Sequence, residues 1–174
     1  AYVKNNGLER RDVIIIHPGV SRFGAFKQWM PERFGELASL LAARKNAAVV
    51  ITWGPGERPL AERVARNSRG AAILGPEPRG LRELACLLSR ARLFVGCDTG
   101  PLHLAAAVGT PVVALFGPKD PAVYGPAGNG HIVLREKLDC SPCDLRKCPD
   151  PRCMKMITVA EVYHACLDIL GREE

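Results

Sequence analysis

The sequence predicts an α/β fold, a doubly wound parallel sheet of Rossmann-like kind, and three observations carry that prediction. Short, solid apolar runs recur along the chain without polar alternation, as expected of strands buried on both faces. Stretches with helical spacing of apolar residues separate these runs, which is the βαβ pattern of a parallel sheet. Gly, Pro and isolated polar residues crowd the segments after the strands, the side on which ligands bind in such sheets.

The elements follow in order. Val13 to Ile16 reads as a first strand, ending at His17-Pro18-Gly19. Pro31 to Arg44 carries Phe34, Leu37, Ala38, Leu41 and Ala42 on one helical stripe. Ala47 to Thr52 is the next strand, broken by Gly54-Pro55-Gly56. Leu60 to Asn67 is helical, Ala71 to Leu74 is a short strand, and Leu81 to Arg90 is a helix with Leu81, Leu84, Leu87 and Leu88 on one side. Leu93 to Cys97 forms a strand that stops at Asp98-Thr99-Gly100-Pro101. A small-residue helix, Leu102 to Val108, and a strand, Val112 to Phe116, come next. Ile132 to Leu134 is the last strand, and Val159 to Leu170 a closing helix capped by Thr158.

The chain has 174 residues, of which 47% are hydrophobic and 24% charged, the composition of one ordinary globular domain with a single sizeable core. No apolar run reaches the roughly 18 residues of a membrane span, and AYVKNNGLERRD lacks the apolar centre of a secretory signal. Residues 1–12 read as a polar lead-in or linker and 13–174 as the domain. Because the chain opens on Ala1 rather than Met, a piece of a longer protein is expected. The formal charge of +6 suits an anionic ligand or membrane surface. Only 6% of residues are aromatic, and Lys and Arg are scattered rather than interleaved with them, so nucleic acid is not the expected partner.

Four loops could carry chemistry. In Asp98-Thr99-Gly100-Pro101-Leu102-His103, a helix start offers N–H donors and partial positive charge to a phosphate. Gly100 allows close approach, and Pro101 suits the first turn because its missing N–H would be unpaired there. Asp98 or Thr99 can serve as N-cap. Thr99 and His103 can donate to phosphate or sugar oxygens. Asp98, a carboxylate, repels phosphate, so it either caps the helix or accepts from sugar hydroxyls. A tight turn with a capping Asp is the plainer alternative. The loop from His17 to Trp29 is basic and glycine-containing: Lys27 could neutralise a diphosphate and Ser21 could donate, whereas Trp29 is expected to pack. Neither G-x-x-x-x-G-K-[ST] nor G-x-G-x-x-G occurs, which disfavours P-loop and nicotinamide chemistry. In Trp53-Gly54-Pro55-Gly56-Glu57, Glu57 could accept from ribose hydroxyls or simply sit in a helix's first turn. Lys119 and Asp120 follow the fifth strand and read as plain loop.

Cys86, Cys97 and Cys166 fall on apolar faces and are expected to be buried. Cys140, Cys143, Cys148 and Cys153 share one Pro-rich loop and could surround a structural zinc, form disulfides, or stay free. Arg146, Lys147, Arg152 and Lys155 make that loop basic.

The HPG…K-x-W-x-P stretch, the glycine-rich break after the second strand and above all DTGPLHLAAAVGTPVVALFGP resemble the lipopolysaccharide heptosyltransferases, glycosyltransferase family 9. The Cys140 to Val162 stretch is similar to members of that family as well. The resemblance implies the C-terminal, donor-binding half of a two-domain GT-B enzyme. By matching motif, it implies that Lys27 contacts the donor diphosphate with Ser21 nearby, and that Glu57 binds the ribose or base region. Asp98, Thr99, Gly100 and His103 would hold the diphosphate and sugar. ADP-heptose is the implied donor, transferred with inversion and with no cofactor required. The partners implied are the N-terminal acceptor domain of the same protein and a lipid-linked saccharide at the inner face of the cytoplasmic membrane. The family's base, an Asp of the N-terminal domain, has no counterpart here. A stand-alone nucleotide-sugar module, or a different GT-B-like enzyme such as an epimerase, is the alternative.

Overall fold

The computed structural model describes residues 2, 6–143, 145 and 147–171, apart from the side chains of Arg22 and Phe23. Six strands form one sheet: β1 (Asp12–His17), β2 (Ala47–Ile51), β3 (Ile73–Leu74), β4 (Leu93–Cys97), β5 (Val112–Phe116) and β6 (Ile132–Arg135). Every pairing is parallel and the spatial order is β3-β2-β1-β4-β5-β6. This is the doubly wound order whose winding reverses between β1 and β4.

The helices are α1 (Pro31–Ala42), α2 (Arg58–Asn67), α3 (Leu81–Leu88), α4 (Gly100–Ala107), the single turns α5 (Pro121–Tyr124) and α6 (Arg152–Lys155), and α7 (Val159–Leu170). A 3₁₀ turn, Arg22–Lys27, lies between β1 and α1. Strand period sorts the core into two layers. Ile14, Ile16, Val49, Ile51, Val95, Val113 and Leu115 meet α1, α2 and α7. Ile15, Val50, Phe94, Val112, Ala114 and Phe116 meet α3 and α4. Strands covered on both faces cannot alternate polar with apolar, which is why they read as solid runs.

Three packing details position the loops above the sheet. Trp29 is fully buried; its indole N–H donates to the Ile157 carbonyl at 2.9 Å and its ring meets Phe34 edge-on. It thereby anchors the β1–α1 loop to the segment before α7. Thr158 caps α7 in a reciprocal capping box with Glu161, worth about 1 kcal/mol. Leu8 is buried, and the Tyr2 hydroxyl donates to the Leu74 carbonyl, so described residues of the lead-in pack onto the core.

Several expectations are corrected. Cys97 and Cys166 are buried but Cys86 is exposed, because it falls on the side of α3 opposite Leu84, Leu87 and Leu88. Leu81 is also exposed, at 74%: standing first in α3, it overhangs the loops rather than the core. The third strand is only Ile73–Leu74, and the short helices α5 and α6 carry too few residues to show a period. No helix among the described residues is long and apolar enough to cross a membrane.

Candidate functional site

A cavity of about 710 Å³ opens at the carboxyl ends of β1 and β4. That volume lies within the range of small-molecule sites, and the position is the switch point of the sheet. Ser21, Lys27, Glu57, Asp98, Thr99, Gly100 and His103 all line it. These side chains come from three loops widely separated in sequence, and parallel pairing brings the loops level: His17 lies beside Gly96 in register.

Asp98 directly follows β4 and is buried. Lys27, at the end of the 3₁₀ turn, donates to its Oδ2 in a close ion pair, and His103 Nε2 lies 3.4 Å from Oδ1. Neither Asp98 nor Thr99 makes a side-chain capping bond, although Thr99 occupies the N-cap position. The Thr99 hydroxyl donates instead to the Cys97 carbonyl at 3.2 Å. The Leu102 and His103 N–H groups return to the Thr99 carbonyl. With Pro101 lacking an N–H, Gly100 is the residue of this turn whose N–H the helix does not use. A Cβ at Gly100 would meet nothing within 4 Å and its φ is not positive, so neither packing nor backbone geometry requires glycine there. The space beside it lies on the cavity.

Glu57 stands at the N-cap position of α2 but makes no cap bond. Its carboxylate turns back, accepting the Gly54 N–H at 2.8 Å and lying 3.4 Å from His17 Nε2. Half-burial pushes this carboxyl up, yet the hydrogen bonds from His17 and Gly54, with the His17 charge, outweigh it and hold the group below the usual range. A Cβ on Gly19 would run into the same carboxylate, so glycine at this position makes room for it.

Sequence reasoning left three contributors unassigned. His17 is buried at the end of β1 and lines the cavity. Its partner belongs to the next βα loop, so no local spacing reveals the pair. Arg79 and the exposed Leu81 border the cavity from the loop after β3 and the start of α3. An unburied leucine on an otherwise core-facing stripe cannot be told from a core residue by period. Cys97 lies beneath the site, and burial pushes its thiol up to about 12, which removes it as a nucleophile near neutral pH.

The described residues beyond β5 do not line this cavity. Asp120 caps α5 through the Ala122 N–H and pairs with Arg135 at 3.4 Å, while Lys119 lies over the Tyr124 ring. None of the seven cysteines is in a disulfide. Of the grouped four, Cys153 is buried and its thiol is raised by burial, with Cys143, Cys148 and Cys140 adding to the effect. Among the described residues no group of three or more His, Cys, Asp or Glu side chains is placed to hold a metal ion. Arg146 lies outside the described residues. Arg152 and Lys155 both pair with Asp150, which offsets the positive charge expected of the loop.

A family model described as glycosyltransferase family 9 (heptosyltransferase) matches residues 2–153. The chain belongs to glycosyltransferase family 9. Among curated proteins, lipopolysaccharide heptosyltransferase 1 of Pseudomonas aeruginosa is 34% identical over 155 residues, covering 84% of this chain and 42% of the relative. The crystal structure of a family 9 glycosyl transferase from Veillonella parvula superposes with a TM-score of 0.84 at 24% identity, covering 99% of this chain and 50% of that one. An Escherichia coli heptosyltransferase solved with ADP superposes with a TM-score of 0.74 at 24% identity, over 97% and 47% of the two chains. The chain thus spans less than half the length of that curated relative and about half of the two solved chains.

Proposed function

We propose that this chain is the donor-binding half, the C-terminal of two domains, of a glycosyltransferase that takes heptose from ADP-heptose. One observation carries the reading: Ser21, Lys27, Glu57, Asp98, Thr99, Gly100 and His103 line one cavity at the switch point of the sheet. Membership of family 9 and the ADP held by the E. coli heptosyltransferase point to the same ligand class.

The chemistry follows from charge. Transfer of a sugar from a nucleoside diphosphate builds negative charge on the departing phosphate and oxocarbenium character on the sugar. Lys27 and the start of α4 stabilise the leaving group electrostatically, in a site that is preorganised before reaction. Asp98 keeps Lys27 and His103 beside the cavity until the diphosphate takes over the lysine, and its carboxylate then accepts from sugar hydroxyls. Glu57 accepts from the ribose. The base that activates the acceptor belongs to the other half of the protein, as does the surface for a lipid-linked core saccharide at the cytoplasmic face of the membrane. Transfer with inversion is the outcome of a single direct displacement.

Calorimetric titration of the chain with ADP-heptose, ADP and UDP-sugars tests the assignment. The expected result is binding of both ADP ligands and markedly weaker binding of the UDP-sugars. Equal or preferential UDP-sugar binding, or ADP binding that survives unchanged in Lys27→Ala and Asp98→Ala, overturns it.

A further inference from the structure

Glu57 is held by groups outside its own helix, and His17 is the one of them that also has a second partner and a ring contact of its own. Glu57 Oε2 lies 3.4 Å from His17 Nε2. An ionised carboxylate can only accept, so Nε2 carries the hydrogen whatever the state of the other nitrogen. His17 Nδ1 lies 3.1 Å from the Thr52 hydroxyl, which can act as donor or acceptor, and the imidazole stacks on Phe94 at 6.4 Å between ring centroids. At 3% exposure the imidazole is locked by these three contacts. Burying a polar ring here is costly unless each nitrogen is satisfied, and the carboxylate is what satisfies Nε2.

We propose that His17 is a positioning residue for ligand recognition: its Nε2–H fixes one oxygen of Glu57 so that the carboxylate presents its remaining acceptor capacity to two vicinal hydroxyls, the cis-diol of a ribose. The proposal rests on the reading of this cavity as a nucleotide-sugar site. Three further observations fit it. Oε1 of Glu57 has no hydrogen-bond partner among the described residues, Oε2 taking the Gly54 N–H as well as His17. Both Glu57 and His17 line the cavity, with Gly19 leaving space for the carboxylate. The lowered pKa of Glu57 keeps it an acceptor near neutral pH. A diol with two donors is the ligand group that such an acceptor recognises, whereas a phosphate is repelled by it.

The test is calorimetric titration of the full chain with ADP and with 2′,3′-dideoxy-ADP at one pH, with thermal unfolding recorded for every variant. The wild type is expected to prefer ADP by about tenfold or more, the size of a lost hydrogen bond to a charged group. His17→Asn, whose shorter amide reaches Thr52 but not Glu57, should bind both ligands alike. His17→Gln, long enough to donate to Glu57, should recover part of the preference. If His17→Asn fails to fold, His17→Phe, which keeps the stack on Phe94, is read in the same way. A variant that weakens both ligands equally while keeping the preference shows a merely structural histidine and overturns the proposal, as does a wild type with no preference. Failure of the wild type to bind ADP at all is a different result, and sinks the nucleotide reading itself.

Discussion

The cavity contains two acid–base pairs, Lys27 with Asp98 and His17 with Glu57, and they are built for different tasks. His17 is a rigid ring held on both nitrogens and on one face, and Glu57 also takes a backbone N–H, so that pair has little freedom to reorganise. Lys27 is a flexible ammonium that reaches Asp98 from a 3₁₀ turn and remains partly exposed. A point charge on a long stem can be drawn from a carboxylate to a diphosphate, whereas a locked imidazole cannot follow a ligand. The first pair therefore suits a charge that moves with the donor, and the second a fixed gauge for hydroxyls.

Disabling the mobile pair should have the larger effect. Lys27→Ala removes the cation for the diphosphate and leaves Asp98 buried without its partner, so ADP affinity should fall by roughly thirtyfold, about 2 kcal/mol, in calorimetric titration. A loss of less than threefold would mean that Lys27 belongs to Asp98 alone. Glu57→Gln should cost about tenfold, because the amide still accepts from one hydroxyl but has lost its charge. Its remaining preference for ADP over the dideoxy analogue should be smaller than that of the wild type. Gly19→Ala pushes a methyl against the Glu57 carboxylate, the far end of a side chain. Roughly a few-fold weaker ADP binding, with the melting temperature changed little, is expected. A large fall in melting temperature without loss of binding would show Glu57 to be structural.

The smallest effect is on the pH dependence of stability. Because the folded state lowers the pKa of Glu57, the group stabilises the fold above the ordinary carboxyl value near 4.5, and that contribution disappears as pH falls through its lower folded value. The gap in melting temperature between wild type and Glu57→Gln should be widest near neutral pH and shrink as pH falls below the ordinary carboxyl value near 4.5. A gap that is constant across that window would show that His17 and Gly54 do not favour the ionised form.

The fold was legible because its strands are covered on both faces: Leu93–Cys97 and Val112–Phe116 appear as solid apolar runs with the same bounds in the sequence and the structure. The site was legible where one loop holds several of its groups, as in Asp98 to His103. Pairing across loops was not. Lys27 and Asp98 are 71 residues apart, and only the switch between β1 and β4 makes them neighbours. His17 read as the end of a strand because its partner emerges from the adjacent parallel strand. An apolar stripe gives the face of a helix but not which residues overhang its end, which hid the exposure of Leu81, whereas Cys86 lies off that stripe on the opposite face. The Asp98 carboxylate, awkward beside a phosphate in the sequence, has in the structure a lysine and a histidine to answer it.

The claim that the β1–β4 switch point binds the donor nucleotide is tested most directly by following the backbone amides of the ¹⁵N-labelled chain during titration with ADP. Saturable shifts are expected to concentrate at Gly19, Gly54 and Gly100 and their neighbours, and to be abolished or strongly weakened in Lys27→Ala. Shifts concentrated in the cysteine loop beyond β6, or no saturable shift at these glycines, would contradict it.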